Sequence, residues 1–303
     1  MLDTIPQFPA LAPLDLQHKP ALDAAFAAQQ HCISEFTFTN MYIWRHKYGA
    51  QITRFGEVIC LLSWRADPED SFVLPPIGLE ASLEHVQACL ELLRSEGHDP
   101  KLCRATLPML EQLNVRDDSF DIRSDRDDWD YVYLVQDLIE LPNNRYPDKV
   151  RHIRQFQKRF QYEYRPLTPD LVPACKELQD LWCDDKHCDL YSSLRAEGQA
   201  VKEILDRLDE LNIKGGAIIV NDRVQAFTLG EALNDETVVI HIEKAAPDVH
   251  GAFQIINQQF LEHEWVGWKY VNREQDVGDA GLRRAKESYL PVAMVEKFTA
   301  RPR

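Results

Sequence analysis

Long apolar runs are missing from this 303-residue sequence. The most apolar stretches, Val58 to Trp64 and Ala217 to Val220, are of strand length, against the roughly 20 residues that a bilayer-spanning helix requires. The N-terminus, Met1 to Pro9, has neither a basic start nor an extended apolar core, so no secretory leader is expected. Basic residues are in the minority. Thirty-four Lys and Arg stand against 49 Asp and Glu, for a net charge of -15. That balance excludes a surface that binds nucleic acid throughout, while leaving room for a local basic patch. There is no Walker loop, no G-x-S-x-G and no H-E-x-x-H. The seven cysteines, at 32, 60, 89, 103, 175, 183 and 188, are odd in number and scattered. They fit free thiols in a reducing cytoplasm rather than a disulfide framework. Cys183, His187 and Cys188 cluster without matching a common zinc spacing. A loop or helix end is expected there, and no metal.

What is present is an ordinary globular composition, 45% apolar and 27% charged, on a chain long enough for two domains of about 150 residues. One pattern occurs twice. In the first half, strands are expected at Glu57 to Trp64 and Ser71 to Leu74. A helix follows, Leu83 to Glu96, with Leu83, Val86, Leu90 and Leu93 on one face, then a strand at Leu102 to Ala105. In the second half, Gly216 to Val220 and Arg223 to Gly230 form a hairpin about Asn221-Asp222. An alternating strand, Thr237 to Glu243, comes next. A helix, about Ala252 to His263, turns Phe253, Ile256 and Phe260 inward, and a strand closes the series at Lys269 to Val271. Trp129 to Val135 reads as the last strand of the first half. The breaker-rich stretch Leu141-Pro-Asn-Asn-Arg-Tyr-Pro147 reads as a linker, giving domains 1–144 and 145–303. Each is expected to be α/β (α+β), with a mixed, largely antiparallel sheet flanked by helices.

Three constellations could carry chemistry. The 145–165 segment is basic in an acidic protein: Arg145, Lys149, Arg151, Arg154, Lys158, Arg159 and Arg165 face only Asp148 and Glu163. Val150, Ile153, Phe156 and Phe160 fall at helical spacing for burial, and Arg151, Arg154 and Lys158 share another face. Such a face suits a phosphate-rich partner such as tRNA, or is a solvated face. On strand Thr237 to Glu243, His241 and Glu243 share the side opposite Val238, Ile240 and Ile242. Either could accept a proton from an attacking amine, or both could simply line a polar sheet face. The third is Val271-Asn-Arg-Glu-Gln-Asp-Val-Gly-Asp-Ala-Gly-Leu-Arg-Arg-Ala-Lys-Glu-Ser-Tyr-Leu-Pro291. It reads as a strand end, a glycine turn and a short helix, Leu282 to Tyr289, with Arg283, Lys286 and Tyr289 lining roughly one face. These residues fit an anion site or a solvated charged turn.

That last segment carries a resemblance. Asn272-Arg273-Glu274, Asp276, Gly278, Gly281-Leu282-Arg283, Ala285-Lys286, Ser288-Tyr289 and Pro291 match N-R-E-x-D-x-G-x-x-G-L-R-x-A-K-x-S-Y-x-P. The pattern resembles the bacterial family named after the C-terminal domain of phosphatidylglycerol lysyltransferase. Phe38 to Arg45, Pro75-Pro-Ile-Gly78 and Arg151 to Phe156 extend the match over most of the chain. The resemblance implies two tandem GNAT-like acyltransferase domains. It also implies kinship to Fem-type transferases, which move an amino acid from aminoacyl-tRNA to a lipid or a peptidoglycan precursor. No segment is expected to match the membrane-embedded half of the lipid transferases. Only Gly251-Ala252 remains of the glycine-rich turn that holds the coenzyme A pyrophosphate in this fold, so acyl-CoA fits less well as donor.

The sequence therefore leads to a cytoplasmic transferase. Aminoacyl-tRNA is the expected donor, and an unidentified amine or hydroxyl compound the acceptor. Asp276, His241 and Glu243 are the catalytic candidates. Arg151, Arg154, Lys158, Asn272, Arg273, Arg283, Lys286 and Tyr289 are the candidates for substrate or phosphate binding. No cofactor is assigned beyond these substrates. A non-catalytic binding protein on the same fold and an acyl-CoA-dependent N-acetyltransferase are the alternatives.

Overall fold

The structure is a computed structural model that describes residues 2–303. Its strands, in chain order, are β1 (Ala12–Pro13), β2 (Ala50–Phe55), β3 (Val58–Ser63), β4 (Phe72–Val73), β5 (Leu102–Ala105), β6 (Phe120–Ser124) and β7 (Asp130–Leu134). They continue with β8 (Glu163–Pro166), β9 (Lys214–Val220), β10 (Arg223–Ala232), β11 (Thr237–Ala245), β12 (Tyr270–Asn272), β13 (Ala293–Val295) and β14 (Phe298–Pro302). Two compact units result. One runs to Asp130 and takes in Gln275–Arg283 and Met294–Arg303. The other is Tyr131–Glu274 with Arg284–Ala293. The division thus falls ahead of the expected boundary near residue 144. Two C-terminal segments also rejoin the first unit, a return that a linear reading of the chain does not anticipate.

In the first unit the order is β1-β2-β3-β4-β5-β14-β6. Only β4 and β5 pair in parallel. The Leu83–Ser95 helix buries Val86, Cys89, Leu90 and Leu93, close to the expected face, with Cys89 in place of the half-buried Leu83. Strand β14 comes from the far end of the chain and inserts between β5 and β6. Just before it, Lys297 is 1% exposed, and its ammonium meets Glu35 Oε2 and Asp130 Oδ1 at 2.6 Å each. Burial of an ammonium is tolerated there because two carboxylates receive it.

In the second unit β7-β12-β11-β10-β9-β8 lie side by side. Again one neighbour pair, β11 and β12, is parallel, and the others are antiparallel. The β9–β10 hairpin turns on Asn221 and Asp222, both at positive φ, as a two-residue turn demands. The Ala252–Glu264 helix links β11 to β12 and buries Ala252, Ile255, Ile256, Phe260 and Leu261. Phe253 was expected inward but is 40% exposed, because the buried stripe runs through 252, 255, 256 and 260 and leaves 253 one step round the turn. The basic segment forms the Pro147–Arg159 helix, shorter than 145–165, since residues 163–166 enter the sheet as β8.

The cysteine expectation is corrected at one point. The Val172–Lys186 helix ends with His187 in the left-handed region, which folds the chain back so that Cys183 and Cys188 pair as a disulfide. The other five cysteines form no disulfide among the described residues. Among the described residues no helix is long and apolar enough to cross a membrane.

Candidate functional site

The second unit is open along one line of its sheet. Strand β12 pairs with β11 only from Thr237↔Tyr270 to Val239↔Asn272, while β11 runs on to Ala245. Beyond that point the backbone ladder stops and side chains span the gap. Alternation along β11 puts His241 and Glu243 on one face, as expected. His241 Nδ1 lies 2.8 Å from Glu274 Oε1, and Nε2 lies 2.9 Å from Glu231 Oε1. Its side chain is fully buried. Burial lowers the tendency of the ring to hold a proton, but the two carboxylates win and raise its pKa to about 9. At neutral pH the ring is therefore an imidazolium donating from both nitrogens. In that state both ring nitrogens are engaged by carboxylates. Nor does the trio offer a metal a vacant nitrogen, and among the described residues no group of three or more His, Cys, Asp or Glu is arranged to hold a metal ion.

Glu243 crosses the same gap. Its Oε1 accepts from Arg273 Nη2 at 3.0 Å and its Oε2 from Asn257 Nδ2 at 3.1 Å. The Arg273 guanidinium lies 4.9 Å from the Tyr289 ring centroid and 5.8 Å from that of Tyr133. Burial opposes its charge, yet Glu243, Tyr133 and Tyr289 raise its pKa above the ordinary arginine value. Its Nη1 is buried with no hydrogen-bond partner. Lys286 donates to the Arg273 carbonyl at 2.7 Å, and the Tyr133 hydroxyl donates to the Lys286 carbonyl at 2.9 Å. Asn272 Oδ1 accepts from the Glu274 amide at 2.8 Å, which holds Glu274 in its left-handed conformation. Of the residues singled out from sequence, His241, Glu243, Asn272, Arg273, Lys286 and Tyr289 thus come together.

Asp276 and Arg283 do not join them; they belong to the first unit. Asp276 is fully buried. It takes both arms of the Arg283 fork, Nε at 2.9 Å and Nη2 at 2.8 Å, and accepts from the Gly278 amide at 3.0 Å. Arg283 also reaches Asp127 at 2.5 Å, and Arg126 approaches Asp276 at 3.5 Å. These contacts form a clamp about the glycine turn. The expectation that Arg283, Lys286 and Tyr289 line one helix face fails for a local reason. The helix is Ala280–Glu287, Arg283 is drawn to the aspartates, and Tyr289 lies past the helix end.

Arg151, Arg154 and Lys158 lie on the exposed face of the Pro147–Arg159 helix, while Ile153 and Phe156 are buried. Lys149, on the first turn, is buried too. It donates to Ser288 Oγ at 2.6 Å and lies 4.1 Å from the Tyr289 ring centroid. The turn before the Ala252–Glu264 helix is closed over by this basic helix. A Cβ on Gly251 would stand 2.7 Å from the His152 carbonyl oxygen and 2.9 Å from Phe156 Cβ.

Glu231, Asn257, Lys149 and Ser288 escaped the sequence reading as site residues. Glu231 could have been found, since β10 and β11 pair antiparallel and any acidic residue opposite the His241 region is a candidate partner. Asn257 and Lys149 carry no such signal, because helix faces alone do not say which strand they meet.

The family model for the C-terminal domain of phosphatidylglycerol lysyltransferase matches residues 26–301. A search of curated proteins finds no match. Among solved structures, a conserved protein of unknown function from Bacteroides thetaiotaomicron is 30% identical, with a TM-score of 0.88 over 97% of this chain and 99% of that one. The C-terminal domain of a putative lysylphosphatidylglycerol synthetase from Agrobacterium fabrum is 10% identical, with a TM-score of 0.67 over 94% and 91%. L-PGS from Bacillus licheniformis is 11% identical, with a TM-score of 0.58 over 84% of each chain. The last two similarities speak to fold alone. With the motif, the GNAT-like order β9-β10-β11-helix-β12 and the match over 26–301 in agreement, the chain belongs to the phosphatidylglycerol lysyltransferase C-terminal domain family.

Proposed function

We propose that the protein is an aminoacyl transferase that moves an aminoacyl group from aminoacyl-tRNA to an amine or hydroxyl group of a small acceptor. The observation that carries this reading is the Glu243–Arg273 pair, placed where β11 and β12 part. Glu243 keeps lone pairs beyond its bonds to Arg273 and Asn257, so it is the group able to take the nucleophile's proton. The nucleophile's lone pair forms the new bond to the acyl carbon. The ester bond to the tRNA ribose breaks, and the proton passes through Glu243 to the departing ribose oxygen. Arg273 and Lys286 hold the substrate. Arg151, Arg154 and Lys158, exposed on one helix, take the tRNA backbone. The packed Gly251 turn disfavours acyl-CoA, whose pyrophosphate would need those amides free. The reading places the protein in the cytoplasm, where aminoacyl-tRNA is available.

A binding module without turnover is the second reading, and the locked imidazolium of His241 favours it. The two separate by experiment. Total tRNA charged with labelled amino acids is incubated with the protein and a small-molecule extract. Transfer of label to a new small product, lost in Glu243→Gln, supports the transferase. Binding of charged tRNA with the label left on it overturns the transferase in favour of the module.

A further inference from the structure

Around Tyr289 the second unit gathers cationic side chains. Arg273 and Lys149 both lie against the ring, at 4.9 and 4.1 Å, and Lys286 is bonded to the Arg273 backbone. Glu243 is the carboxylate bonded to this group. The nearby Glu231 and Glu274 are already engaged on the His241 imidazolium. Lys149 is only 9% exposed, and the hydroxyl of Ser288 that receives its hydrogen bond is neutral. Burial, reinforced by the Arg273 charge, lowers the Lys149 pKa. Burying the Lys149 ammonium against a neutral hydroxyl is costly, and a buried Arg273 nitrogen without an acceptor adds to that cost. Both costs vanish if an anion is seated there.

We propose that Arg273, Lys149 and Ser288, grouped about Tyr289, form a subsite for a phosphate ester. The planar Arg fork and the point charge of Lys together suit the non-bridging oxygens of a phosphate. The subsite rests on the transferase reading only for its purpose. The phosphate belongs either to the acceptor or to the tRNA end.

The test is calorimetric titration of the full chain with inorganic phosphate at neutral pH and moderate salt. The folded wild type is expected to bind saturably. Lys149→Met and Arg273→Gln are each expected to weaken binding at least tenfold, Lys149→Arg to retain most of it, and the exposed control Arg123→Gln to change nothing. Phosphorus NMR line broadening of the added phosphate provides a second reading should Lys149→Met prove unstable. No saturable binding by the folded wild type, or equal weakening in the Arg123 control, overturns the subsite. Competition then assigns the source: displacement by a simple alkyl phosphate marks the acceptor, and displacement only by a short RNA marks the donor. Phosphate binding without aminoacyl transfer would sink the transferase and leave the subsite standing. Transfer without phosphate binding would do the reverse.

Discussion

One motif supplies two charged clusters of different character. Asp276, Gly278 and Arg283 close on one another in the first unit, with Asp127 completing the set. Arg273, Lys286 and Tyr289 gather in the second, about the ion pair of Arg273 with Glu243. The first cluster has the form of a structural tie. The second is an ion pair set among aromatic rings. Motif membership therefore does not by itself assign a residue to chemistry; the partners that the fold gives it differ from one cluster to the other.

Four substitutions or titrations test the contrast. The largest effect on stability is expected within the first unit, at Lys297→Ala. That change strands Glu35 and Asp130 in the core and should cost about 3–5 kcal/mol, read as a lower urea midpoint. Titration of His241 comes next. Its pKa is raised to about 9 in the folded chain from an ordinary value near 6.5, so its contribution is fully present below about pH 6.5 and lost as pH rises through 9. The span corresponds to about 3 kcal/mol, and His241→Gln should flatten that part of the stability profile. Arg273→Gln inverts the pattern. Transfer should fall by about a hundredfold or more while the melting temperature moves by only a few degrees, since the site, unlike the tie, is not closed. A large loss of stability with intact turnover would erase the distinction. Arg154→Ala should do least: no change in stability, and a reduction of about one in the salt slope of tRNA binding.

The core elements were legible in sequence because each is a local pattern. Strand β5 and the hairpin at Asn221-Asp222 follow from alternation and turn chemistry, and the Leu83–Ser95 helix from its apolar spacing. Strands β6 and β14 were not legible. Phe298–Pro302 is short and ends in proline, and what makes it a strand is the slot between β5 and β6, more than 170 residues earlier in the chain. The site divided in the same way. His241 and Glu243 could be placed on one face by period, but the charge state of His241 depends on Glu231 and Glu274, which only the fold brings to it. That Asp276 takes the Arg283 fork could not be read either, because a sequence does not show which cation a buried aspartate meets.

Past Val239 and Asn272, strand β11 and the segment after β12 are joined by His241–Glu274 and Glu243–Arg273 instead of by the main chain. A backbone ladder has a fixed rung length, but these rungs are side chains and can be exchanged one at a time. The jaw of this sheet is therefore adjustable. Shortening Glu274 to aspartate or replacing His241 would reset its width without unpicking a strand.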